Sequence, residues 1–196
     1  MLGIITLEDI YSAVPWPSTI DVIKVNGATL RSILEHSVRN YDPYNEDPGG
    51  KFLQLSGLIV HYNISKPQGE RVVSVKVGQP DQQPELESLP SLVDINIYSV
   101  AMPSYLIGGG DGYSMIPKSL VHHKNTGFLM QDLVTHFVEH NSPIHLPTSG
   151  RIVFESKIPT MVSTSSSTTS PRQMKTSLHY AYAADIVLLA IWLYLC

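Results

Sequence analysis

The sequence predicts a mixed α/β domain, with helices packed on a mixed β-sheet. Three observations carry this. Runs of period-two alternation are interleaved with runs of helical repeat as far as residue 158, beyond which the composition changes. The 196-residue chain is long enough for one domain of roughly 100–200 residues with a sizeable core. No internal repeat divides it.

Taken in order, Thr6 and Asp9 are placed as a capping-box variant that opens an amphipathic helix ending near Val14. Val14-Pro15-Trp16-Pro17 is a stiff aromatic turn. Residues 19–25, TIDVIKV, alternate as a strand that Asn26-Gly27 interrupts. Residues 28–39 put Leu30, Ile33, Leu34 and Val38 on one helical face. A loop, DPYNEDPGG, follows. Strands are expected within FLQLSGLIVHYN, RVVSVKV and DINIYSVAM, with a Pro- and Gln-rich loop around residues 79–90. A last helix over TGFLMQDLVTHFVEH leads into the strand RIVFES. In that helix Leu129, Met130, Leu133, Val134, Phe137 and Val138 form the expected buried stripe, and Asp132, His136, Glu139 and His140 the solvated face.

The net charge of −4 and the lack of a Lys/Arg stripe argue against nucleic acid, which requires clustered cations to displace counterions. Cys196 is the single cysteine, so neither a disulfide framework nor a cysteine metal site can form within the chain. Residues 159–180 are a Ser/Thr-rich linker and residues 181–196 an apolar tail, interrupted by Asp185 and shorter than the roughly 20 residues a bilayer span needs. Small residues, a polar spacer and a terminal apolar tail form a glycosylphosphatidylinositol (GPI) signal, removed on processing, with Ser165, Ser166, Ser167 and Ser170 as candidate attachment residues. A protein tail anchor or a frayed hydrophobic end is the alternative. The lipid anchor implies the extracellular face of the plasma membrane. At the other end Glu8 and Asp9 interrupt the apolar run and no basic region precedes it, so the start does not read as a signal peptide. The expectation is a C-terminal part of a longer protein.

The stretch from Met102 to Ile116, MPSYLIGGGDGYSMI, is the most informative. Glycines 108, 109, 110 and 112 free the backbone for positive φ or a close approach. Asp111 offers a carboxylate that accepts hydrogen bonds in pairs. A hairpin with Asp111-Gly112 as a type I′ turn is one reading. A hairpin does not call for the flanking Tyr105 and Tyr113, which suit a flat, hydroxylated ligand. Trp16, between prolines, is either displayed from its turn or a core-sealing ring. His136-x-x-Glu139-His140 matches a zinc-peptidase pattern, but no third ligand accompanies it and the helix's apolar stripe accounts for the segment. His122-His123 reads as a polar loop pair and Phe52 as a core residue of its strand. Asn63-Ile64-Ser65 is an N-glycosylation acceptor, with Asn63 the attachment residue.

The ordered features VP-W, NG-x-TL, EHSV, GKFLQLSGLIVHYN and Y-L-x-GGGDGY resemble the C-terminal, substrate-binding domain of 5′-nucleotidases, specifically the lipid-anchored ecto-enzymes of animals, over residues 4 to about 156. The resemblance implies a domain over residues 1–158 of that fold. It also implies a nucleobase sandwiched by Trp16 and Tyr105, a ribose held by Asp111, and Gly109 and Gly110 wrapping the nucleoside. Family members often carry phenylalanine at both aromatic positions. It further implies hydrolysis of extracellular AMP-type monophosphates to nucleoside and phosphate. That chemistry resides in a separate N-terminal metallophosphatase domain holding two divalent metal ions of zinc type. None of that domain's motifs occurs here, so no catalytic residue, metal ligand or cofactor is assigned to this chain, which by itself is expected to be inactive. A homodimer is the implied assembly. Alternatives are an apyrase or nucleotide-sugar hydrolase of the same family, or an inert lipid-anchored nucleoside-binding protein.

Overall fold

The computed structural model describes residues 3–45, 50–78, 89–144 and 150–155. The linker, the apolar tail and the serines proposed for lipid attachment lie outside the described residues.

Helix α1, Leu7–Ala13, begins as the sequence indicates. Thr6 Oγ1 accepts from the Asp9 amide at 3.2 Å, and Asp9 Oδ2 accepts from the Thr6 amide at 2.8 Å, so two donors at the helix start are satisfied reciprocally. Strand β1, Ile20–Asn26, buries alternate residues, with Ile23 and Val25 fully enclosed. Asn26 ends the strand and caps helix α2, Gly27–Ser37, its Oδ1 accepting from the Thr29 amide at 2.8 Å. Gly27 is required for a close crossing. A Cβ there would lie 2.2 Å from the Val93 carbonyl oxygen, and the Gly27 and Ala28 amides donate to the Asn96 and Asp94 carbonyls.

The remaining elements are β2, Leu58–Tyr62; β3, Val72–Val77; β4, Ile97–Pro103; helix α3, Ser104–Ile107; helix α4, Met115–Lys118; β5, His122–Lys124; helix α5, Met130–Asn141; and β6, Ile152–Phe154. Helices and strands mix as expected, and the strands form two three-stranded sheets. One, ordered β4-β1-β5, is antiparallel throughout; the other, β3-β2-β6, pairs β2 with β3 antiparallel and with β6 parallel. One core joins them: Leu30, Ile33 and Leu34 of α2 pack with Ile23 and Val25 of β1, Leu58 and Val60 of β2, and Val100 and Met102 of β4.

Several expectations are corrected. Residues 52–55 are not strand, and β2 begins only at Leu58. Phe52 is half-buried in an aromatic cluster, 5.1 Å from the Tyr41 ring and 6.1 Å from Phe154. His122 and His123 lie in β5 rather than a loop, and His123 Nε2 meets Asp21 Oδ2 at 2.8 Å, partnering a carboxylate that β1 buries. In α5 the inward face is rotated from the expected one. Of the expected stripe Met130 is buried and Val134 and Val138 are half-buried, but Gln131 is buried as well and Leu129, Leu133 and Phe137 are exposed. Gln131 lies on the inward side, its amide donating to the Val14 and Trp16 carbonyls at 3.0 and 3.2 Å.

Leu34→Ala is expected to cost about 2–5 kcal/mol, since a fully buried leucine leaves a cavity. Phe137→Ser should stay near the roughly ±0.5 kcal/mol range of surface changes. Denaturant titration of both variants checks the pair, and equal costs would contradict the α5 orientation.

Candidate functional site

Strand β4 delivers the glycine-rich segment. The Ser104 amide donates to the Thr19 carbonyl at 2.8 Å, closing the β1–β4 ladder at the end where Ile20 pairs with Pro103. Trp16 stands just before that end of β1, and Tyr105 just after the same end of β4. Both rings are displayed to solvent, Trp16 at 74% and Tyr105 at 55% exposure. Trp16 is therefore not a core-sealing residue. Its side chain leaves a turn whose backbone is fixed by Gln131.

After α3 the chain turns through Gly109, at φ 91°, and then through two successive positive φ values, 49° at Asp111 and 83° at Gly112. These are the signs a type I′ turn requires, but the flanks are helical and no hairpin forms. Ile107, Tyr113 and Ile116 are buried on either side and pin the segment to the core. Tyr113 belongs to that anchoring rather than to a ligand surface. Its hydroxyl donates to the Lys51 carbonyl, and its ring lies edge-on to His36 at 4.5 Å.

Asp111 is the only described non-glycine residue with positive φ, a conformation aspartate tolerates better than most side chains. The Tyr105 hydroxyl donates to Asp111 Oδ1 at 2.9 Å and also faces the Asp111 amide, which donates to it at 3.2 Å. His36 Nε2 lies 2.9 Å from the Asp111 carbonyl oxygen. That leaves Oδ2 without a hydrogen-bond partner among the described residues. Gly110 makes room for this arrangement, since a Cβ there would lie 2.5 Å from Tyr105 Cε1 and Cζ.

Tyr105, Asp111, Gly109 and Gly110 are thus contiguous, and Trp16 shares their end of the ladder. Sequence reasoning missed His36. The one available signal was its place in α2 beside a core-facing leucine stripe, which does not reveal a partner 75 positions away. His36 also lines a cleft of about 250 Å³ with Ser32, Glu35, Arg39, Gln68 and Met115. Its charged groups are already partnered: Glu35 accepts from the Arg71 and Val72 amides and Arg39 donates to Gln68. His136 and His140 approach to 3.9 Å between ring centroids, but among the described residues no group of three or more His, Cys, Asp or Glu could hold a metal ion. Asn63 sits in the β2–β3 connection with its amide nitrogen donating to Glu155 at 2.8 Å. No described helix is long and apolar enough to cross a membrane.

Residues 2–118 match the model of the 5′-nucleotidase C-terminal domain family. The chain is 35% identical over 153 residues to a 5′-nucleotidase of Rattus norvegicus and 33% identical over 152 residues to one of Diplobatis ommata; each alignment covers 78% of this chain and 25% of the relative. The chain thus spans about a quarter of the length of these relatives. Among solved structures it resembles a 5′-nucleotidase precursor from Thermus thermophilus, with a TM-score of 0.67 and 26% identity over 76% of this chain and 28% of that one.

Burial pushes the Tyr113 phenol, and that of Tyr62 in β2, well above the ordinary tyrosine range. A raised phenol pKa contributes stability that is complete below about pH 10 and declines as pH rises above it, because only the unfolded chain can ionise there. In an alkaline titration followed by phenolate absorbance, these two rings are expected to ionise only with unfolding. Full ionisation of every tyrosine in a still-folded protein would contradict this.

Proposed function

We propose that this chain, which belongs to the 5′-nucleotidase C-terminal domain family, holds the nucleoside of a nucleoside 5′-monophosphate for hydrolysis to nucleoside and phosphate. Trp16 and Tyr105 stack on the two faces of the base, Asp111 accepts the ribose hydroxyls, and Gly109 and Gly110 let the loop wrap the sugar. The observation that carries the reading is the display of two exposed aromatic rings at one end of the β1–β4 ladder, with a partly open carboxylate beside one of them. Rings attract bases of any identity, and a carboxylate accepting two vicinal hydroxyls makes charge-assisted bonds. AMP is the simplest substrate of this class.

Phosphate release would fall to a metal-bearing catalytic domain of the family, where two divalent ions would supply an activated water. In this reading the chain's own part is binding and orientation. Extracellular display through a GPI anchor at the serines 165–170, a glycan on Asn63 and pairing into a homodimer complete the reading. The tail's composition supports the anchor.

Trp16→Ala and Tyr105→Ala are each expected to weaken adenosine binding by about 1–3 kcal/mol, the usual range for one base–aromatic stack. Ligand-detected NMR reads the affinity, after thermal melts confirm unchanged stability. A folded Trp16→Ala that binds as wild type removes Trp16 from the clamp.

Expressed behind a secretory signal, the chain is expected at the cell surface and released by phosphatidylinositol-specific phospholipase C. Release by detergent alone would replace the lipid anchor with an inserted protein segment.

A further inference from the structure

Asp111 is held by more than its own loop. Its amide and Oδ1 both meet the Tyr105 hydroxyl, its carbonyl meets His36 Nε2, and its backbone is in the left-handed region at φ 49°. An L-residue in that region is strained and persists where its surroundings over-determine it, and here two side chains from separate elements do so. We propose that the Tyr105 hydroxyl and the His36 imidazole are positioning groups that latch Asp111, aiming its free Oδ2 for a vicinal diol and so setting selectivity for ribose over deoxyribose. This rests on the nucleoside-binding reading above but separates two duties of Tyr105: the ring serves the base, the hydroxyl serves the carboxylate.

The geometry favours a latch over a competing self-ligand. One phenol both donates to the carboxylate and accepts from the amide of the same residue, which fixes the side chain against its own backbone. Oδ1 keeps a lone pair after accepting from Tyr105, and Oδ2 is unpartnered, so both oxygens can still accept from a diol. Gly110 belongs to the device, because the Tyr105 ring lies where its Cβ would be. Any side chain at position 110 displaces the ring and breaks the latch. From the other side, a His36 ring atom would be 3.3 Å from a Cβ at position 112, so Gly112 lets the imidazole reach the loop.

The test compares the full chain in detergent micelles with Y105F, G110A, H36L and H36Q. The readouts are amide hydrogen exchange at Asp111 and the affinities for adenosine and 2′-deoxyadenosine. Y105F keeps the ring and removes the latch. It should speed Asp111 amide exchange and lower adenosine affinity, each by about fivefold or more, with 2′-deoxyadenosine changed by no more than about twofold, because both hydrogen bonds between the phenol and Asp111 are lost. G110A and H36L should reproduce the loss of ribose selectivity, while H36Q, which retains a side-chain N–H donor, should recover most of it. A selective wild type with an equally selective Y105F and unchanged Asp111 exchange overturns the latch and leaves nucleoside binding intact. A wild type that does not distinguish the two nucleosides overturns the ribose role of Asp111, and the latch's purpose with it. Higher adenosine affinity in Y105F overturns the inference in favour of a self-ligand that the nucleoside must displace.

Discussion

The last turn of α2 is the constraint on which the rest of the molecule depends. Three consecutive residues there, Glu35 to Ser37, hold three separate segments. Glu35 accepts from the Arg71 and Val72 amides and fixes the start of β3; His36 meets the Asp111 carbonyl; Ser37 Oγ accepts from the Leu53 amide at 3.1 Å; Val38 is fully buried. A helix can do this because successive side chains point about 100° apart, so neighbours in sequence address different sides. The turn is secured in return by Arg71, whose guanidinium donates to the Val38 and Arg39 carbonyls. The Val38 carbonyl belongs to the C-cap residue, which the helix end leaves without an intrahelical partner, and a cation is favoured beside it.

This arrangement explains what could be read in the sequence and what could not. The α1 cap was legible because its two partners lie three residues apart. The core strands β1, β3 and β4 were legible because alternation is a local signal. What failed depended on distant partners. FLQL has the apolar content of a strand, but Leu53 gives its amide to a serine of α2 instead of to a ladder. In α5 the hydrophobic pattern admits more than one inward face, and the inward side carries a buried glutamine that reaches the Val14 and Trp16 carbonyls. His123 read as loop because its partner, Asp21, is 102 positions away.

The glycine-rich segment shows the same division at finer scale. Its turn chemistry was legible: the Asp-Gly pair does adopt two positive φ values. Its context was not, since nothing local says whether strands or helices flank such a turn. Tyr105 and Tyr113 look equivalent in sequence and have opposite fates. Tyr113 is drawn into the core between His36 and Lys51, which leaves Tyr105 to face solvent with its hydroxyl on Asp111. One ring anchors the loop and the other is displayed from it.

The exposure of Trp16 has an optical consequence. The chain contains two tryptophans, Trp16 and Trp192, so replacing Trp192 with phenylalanine leaves a single indole, at the end of the β1–β4 ladder. Its backbone is tethered through Gln131, yet most of its surface meets water. An indole so placed emits toward the red, and a base laid against it would quench and blue-shift that emission. The molecule therefore carries its own fluorophore at the position proposed to meet the base.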